Sequence, residues 1–194
     1  MTSRGFLCAV CALLTTAVLL AGARNAHALS QVDCETAGFD YADDAVEKTC
    51  EAGDASTSQW RGSEQVMEVQ GSGYYLWVRR LKAGYYSYIA PTKASDVADD
   101  VVSDFQSPVP VKPHGRVSGY DIATFGGTLT TRKLSFDCFA FTRSGGLITA
   151  APGGFDGEPG YAHLVVGIYC AKRTDGISDA TMQHVLTELR APLE

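Results

Sequence analysis

The sequence predicts an α+β protein: a mainly antiparallel sheet with amphipathic helices packed on it, stapled by disulfides. Three observations carry this expectation. Segments 134–143 and 161–171 alternate in polarity and read as strands, as does much of 64–89. Two stretches, 94–105 and 182–189, instead carry apolar residues at helical spacing. Four cysteines, Cys34, Cys50, Cys138 and Cys170, lie beyond the N-terminal leader, an even count that suits a disulfide framework in an exported chain.

The leader comes first. Arg4 supplies a positive n-region, 5–20 is an uncharged apolar core, and Ala26-His27-Ala28 is a small-x-small cleavage site. That is the grammar of a secretory signal peptide over residues 1–28, so the expected location is periplasmic or secreted, with no stable membrane span after cleavage. Cys8 and Cys11 would leave with it. Of 194 residues 166 would remain, a length suited to one domain. The formal charge would move from −6 to −8, because Arg4 and Arg24 leave while no acid does. So acidic a chain is unsuited to gripping nucleic acid through backbone phosphates.

Residues 29–63 form an acidic N-terminal segment, and 64–194 a single α+β domain. Tyr41, Ala42, Ala45 and Val46 recur at helical spacing, predicting a short helix over 40–51. Residues 64–89 read as three short strands, turned at Gly71-Ser72-Gly73 and near Lys82-Ala83-Gly84. Ala94, Val97, Ala98, Val101 and Phe105 form one helical stripe, capped by Thr92 or Ser95. The run 107–113 holds three prolines, which remove backbone donors and fix φ, so it reads as a connector between two halves.

A strand over 116–125 should follow, with a turn at Gly126-Gly127 leading toward the Cys138 strand. Ser144-Gly145-Gly146 reads as another turn, and the glycine- and proline-rich run 151–160 as an exposed loop. The Cys170 strand then leads to a helix capped by Ser178, with Met182, Val185, Leu186 and Leu189 on its buried side. Strand side chains alternate faces, so Cys138 and Cys170 both lie on the apolar face of their strands. Pairing them leaves Cys34–Cys50 as the local bridge.

Motifs for chemistry are sparse. The sequence lacks G-x-S-x-G, H-E-x-x-H, a phosphate-binding loop and G-x-G-x-x-G, and the reading assigns no catalytic residue, metal or cofactor. Its most unusual feature is the aromatic and basic run around Tyr75, Trp77, Arg79, Tyr86 and Tyr88, residue types enriched in recognition sites. The chain is therefore expected to act by binding a protein, peptide or glycan, as an envelope accessory or interaction domain. The rival expectations are a hydrolase using His163 or His114 with nearby acids, and a carrier holding a small apolar ligand between sheet and helix.

Overall fold

The computed structural model describes residues 29–42, 47–56, 61–85, 87–129, 134–148, 160–172 and 176–191. The predicted leader lies outside them. Along the described chain run β1 (Ser30–Val32), β2 (Asp40–Tyr41), β3 (Glu47–Ser56), β4 (Arg61–Gln70), β5 (Tyr74–Ala83) and α1 (Ala94–Val102). There follow β6 (Phe105–Val117), β7 (Tyr120–Leu129), β8 (Leu134–Ile148), β9 (Gly160–Lys172), α2 (Asp179–Glu188) and β10 (Leu189–Arg190).

Eight strands form one antiparallel sheet in the order β1-β3-β4-β5-β9-β8-β7-β6, and β2 pairs with β10 in a small ribbon. Two meanders, β3 to β5 and β6 to β9, meet where β5 pairs with β9. That central seam is apolar on both faces. On one face Met67, Leu76, Val78, Phe139, Phe141 and Val165 build a core closed by Met182, Val185 and Leu186 of α2 and by Ala37, Phe39 and Tyr41. On the other, Val66, Tyr75, Trp77, Ala140, Val166 and Ile168 build a second core closed by Ala94, Ala98 and Val101 of α1. Period-two alternation sends successive β5 residues into opposite cores, which explains apolar groups at both parities there.

The expected fold class is corrected. The protein is mostly antiparallel sheet, not α+β, and its described helices are two short elements of nine and ten residues. Two segments account for the difference. The helix expected over 40–51 is replaced by β2 and β3, with 43–46 outside the described residues. Cys50 and Glu51 alternate inward and outward there, because β3 must match β4 residue for residue. The proline run expected to be a connector lies within β6, the edge of the sheet. An edge strand needs its donors on one side only, and the β6–β7 register shifts around Val109 and Lys112 accommodate the prolines.

Turn positions differ for similar reasons. Ser118 (φ 50°) and Gly119 (φ 82°) turn the β6–β7 hairpin, both in the left-handed region that such a tight turn demands. Gly126 and Gly127 instead lie within β7, where a Cβ on Gly127 would fall 2.5 Å from Phe105 Cβ. Gly145 and Gly146 likewise continue β8. Ser178 caps α2 as expected, its hydroxyl oxygen accepting from Thr181 N at 3.2 Å. Both expected disulfides are present, Cys34–Cys50 and Cys138–Cys170, and the latter pair lies directly opposite across β8 and β9.

Candidate functional site

The aromatic run of β5 is divided by the pleat. Tyr75 and Trp77, 6% and 9% exposed, fill the second core, where Trp77 lies between Glu68 and Ile168. Arg79 follows on the same face, its Nε 2.7 Å from Glu64 Oε1. This is a charge contact rather than an aligned hydrogen bond, since Arg79 Nε has no hydrogen-bond acceptor in line. The tyrosine hydroxyl of Tyr75 hydrogen-bonds Glu68, whose carboxyl is nevertheless raised above the ordinary range by burial and by the neighbouring Glu51. Tyr88 lies over Gly160, where a Cβ would fall 2.6 Å from its ring. Tyr86 lies outside the described residues. The structure thus brings Tyr75, Trp77 and Arg79 onto one face, two of them in the core, and sets Tyr88 apart.

The opposite parity of β5 carries a different set. Arg80 is a clamp: Nη2 donates to Ala37 O at 2.8 Å, Nη1 to Gly38 O at 3.3 Å and Nε to Gln65 Oε1 at 3.0 Å. Its guanidinium also stacks 5.3 Å from the Phe39 ring centre. This ties the 37–41 segment down over the first core.

Beyond Arg80 the same face turns cationic. Register sets Arg80 opposite Val165 and Val165 opposite Arg143, and one row further Lys82 opposite His163. Alternation along β4 puts Arg61 on this face too, one more row out, opposite Ser56. Arg143 is exposed and lies 5.5 Å over the Tyr120 ring. His163 has its pKa lowered by burial first, then by the charges of Lys82 and Arg80. Among the described residues, Asp54, opposite Ser63, is the acid in these cross-strand rows.

Two exposed large apolar side chains flank this end, Tyr85 at 88% and Leu147 at 59%. Tyr85 sits in a turn fastened to Arg61: Gly84 N donates to Arg61 O at 2.7 Å, Arg61 N to Ser87 Oγ at 2.7 Å, and Ser87 N to Gly84 O at 3.1 Å. An open hollow of about 430 Å³ beside it is lined by Asp54, Ala55, Ser56, Arg61 and Gly62. Tyr85 directly precedes Tyr86 in the aromatic run that the sequence singles out, but no sequence pattern gathers Arg61, Lys82, Arg143 and His163. They come from four strands, and only the register unites them.

The other histidines are dispersed. His114 Nε2 lies 3.0 Å from Asp179 Oδ1, and His184 is exposed on α2. No group of three or more His, Cys, Asp or Glu able to hold a metal occurs among the described residues, and no described helix is long and apolar enough to cross a membrane. No family model, curated protein or solved structure matches this chain.

Proposed function

We propose that this chain is an exported protein that acts by binding, and that it presents the cationic end of its sheet, bordered by Tyr85 and Leu147, to its partner. The observation that carries the reading is the placement of the exposed apolar side chains. Tyr85 and Leu147 both stand at the end of the sheet that also carries Lys82, Arg143 and Arg61. A rigid aromatic body beside arginine and lysine is the composition of a recognition surface. One disulfide ties β8 to β9 and the other ties Cys34 to β3, as suits an oxidising compartment such as the periplasm or the cell exterior. Of the two histidines a hydrolase would use, His163 has the cations Lys82 and Arg80 as its charged neighbours, which do not orient a general base, whereas His114 lies against the exposed Asp179.

The test is hydroxyl-radical footprinting of the chain in an exporting host, compared with the purified protein. The expected result is a mature N-terminus at Leu29 and strong protection of Tyr85 in the cell. An uncleaved cytosolic chain would refute export. Equal labelling of Tyr85 in both settings would refute binding at this surface.

A further inference from the structure

We propose that the uncovered edge of β8 over 143–148 takes up an extended, mostly apolar peptide of a partner protein as an added strand, with one carboxylate of the peptide meeting Arg143. The inference rests on the binding reading above and names the partner's class and the way it is held.

The free ladder is the first argument. Pairing between β7 and β8 ends at Asp121↔Thr142, because β7 begins at the Ser118-Gly119 turn. Beyond that point β8 runs on against β9 alone, from Arg143↔Val165 to Ile148↔Gly160. Among the described residues nothing pairs with its other side. These six residues span about 17 Å, and every second one turns its N–H and C=O outward. Such a row is a template for strand addition. The strands that close the sheet at either side are guarded: β6 carries three prolines, and β1 has only three residues. The 143–148 stretch has no proline, and Gly145 and Gly146 at its centre allow another backbone to approach closely. Register with β9 continues unshifted past Gly146 despite its φ of 65°, from Gly145↔His163 to Leu147↔Tyr161.

The second argument sets the chemistry of the peptide. In the cross-strand row of Arg143, Val165, Arg80, Gln65 and Ala52 follow, and none is acidic. Asp121, opposite Thr142, is engaged by Arg116 at 2.9 Å. The next same-face row holds His163 and Lys82 and reaches Asp54 only four strands from β8, roughly 19 Å away. One carboxylate at the β8 edge therefore meets local cations, while the formal charge of −6 disfavours a polyanion of any kind. Leu147, 59% exposed in the same stretch, matches an apolar side chain. A second copy pairing through this stretch would bring another Arg143 and no acid, since 143–148 contains none. β3 is also uncovered beyond its pairing with β1, but there it carries Asp54, which repels a carboxylate.

The experiment uses the purified mature protein and three acetylated, amidated hexapeptides that alternate valine and threonine. One carries a single central glutamate, one carries lysine in its place, and the third is the glutamate peptide N-methylated at every residue. Amide hydrogen exchange, read by NMR, should slow at alternate residues of 143–148 when the glutamate peptide is added. That peptide should bind about tenfold more tightly than the lysine peptide. The N-methylated peptide should not bind, because it has no donors to complete the ladder. Arg143→Glu, at an exposed position, should reverse the preference between the two charges, and Leu147→Ser should weaken both peptides several-fold. The exchange readout is made on the unmodified protein and requires no variant to fold. Unchanged exchange with every peptide, N-methylated peptide binding as tightly as its parent, or an unaltered charge preference in Arg143→Glu would each overturn the proposal. So would slowing of the same amides on raising the protein concentration alone, which assigns the edge to a second copy. Protection of Tyr85 in the cell with no effect of any peptide on 143–148 would refute strand addition alone, whereas no protection of Tyr85 refutes the binding reading itself.

Discussion

Replacing Trp77 with alanine separates a core role from a recognition role. Trp77 is 9% exposed and packs in the second core at the β5–β9 seam. A buried tryptophan removes about 150–250 Å² from water, and at about 25 cal/mol per Å² that corresponds to roughly 4–6 kcal/mol. Alanine retains part of this, while the cavity left in an interior strand adds a cost, so the expected loss is about 3–5 kcal/mol. For a chain of this size that lowers Tm by about 10 °C. The assay is urea unfolding with both disulfides intact, following tyrosine fluorescence and far-UV dichroism for both proteins. Tyr85→Ala is the control, and as an exposed residue it should change stability by under about 0.5 kcal/mol. A loss below about 1 kcal/mol for Trp77→Ala, accompanied by loss of binding, would refute the placement of Trp77 as core.

Arg80→Ala should cost about 2–4 kcal/mol, because it leaves the Ala37 and Gly38 carbonyls and Gln65 without their charged donor; faster amide exchange at 37–41 would confirm the mechanism. Glu68→Gln tests a pH dependence. The folded state raises the Glu68 pKa, so its favourable contribution is present below the unfolded value and is lost as pH rises through the folded one. The variant should therefore be more stable than the parent at neutral pH, with the two converging in acid; a constant difference across pH would contradict this. Removing Cys138–Cys170, which spans 32 positions, should cost slightly more than removing Cys34–Cys50, which spans 16, at about 4 and about 3 kcal/mol by loop entropy. Denaturant midpoints of the paired Cys→Ala variants check the order.

Much of the sheet was legible because alternation is a local signal. Cys138 and Cys170 share the parity of their apolar neighbours, and the register then places them face to face. The Ala94–Val101 stripe likewise forms α1. The misreadings have a common cause. Ahead of β3 the spacing of Tyr41, Ala42, Ala45 and Val46 suggests a helix reaching residue 51, but partnership with β4 and the Cys34 bridge decides the conformation of 47–56. In β6 the prolines are incompatible with an interior strand, yet they suit an edge, and edge position is a property of the whole sheet. The cationic end was illegible for the same reason. Arg61 and Arg143 are separated by most of the domain in sequence, and nothing local to either shows that three strand pairings bring them to one face.

The seam between β5 and β9 also sets a timetable. During synthesis β3, β4 and β5 can pair as soon as they emerge, but the partner of Lys82 is His163, roughly eighty residues later. Throughout that interval β5 is a raw edge, with Leu76, Trp77 and Val78 uncovered and a full row of backbone donors and acceptors unpaired. Cys138 emerges inside the same interval and waits for Cys170, while Cys34 and Cys50 are already free to join. Closure of the sheet is thus a late and non-local event of folding, followed by the still less local pairing of β10 with β2, and the nascent chain carries its most exposed edge just before β9 arrives. A holding chaperone would protect this protein most by occupying β5 until then.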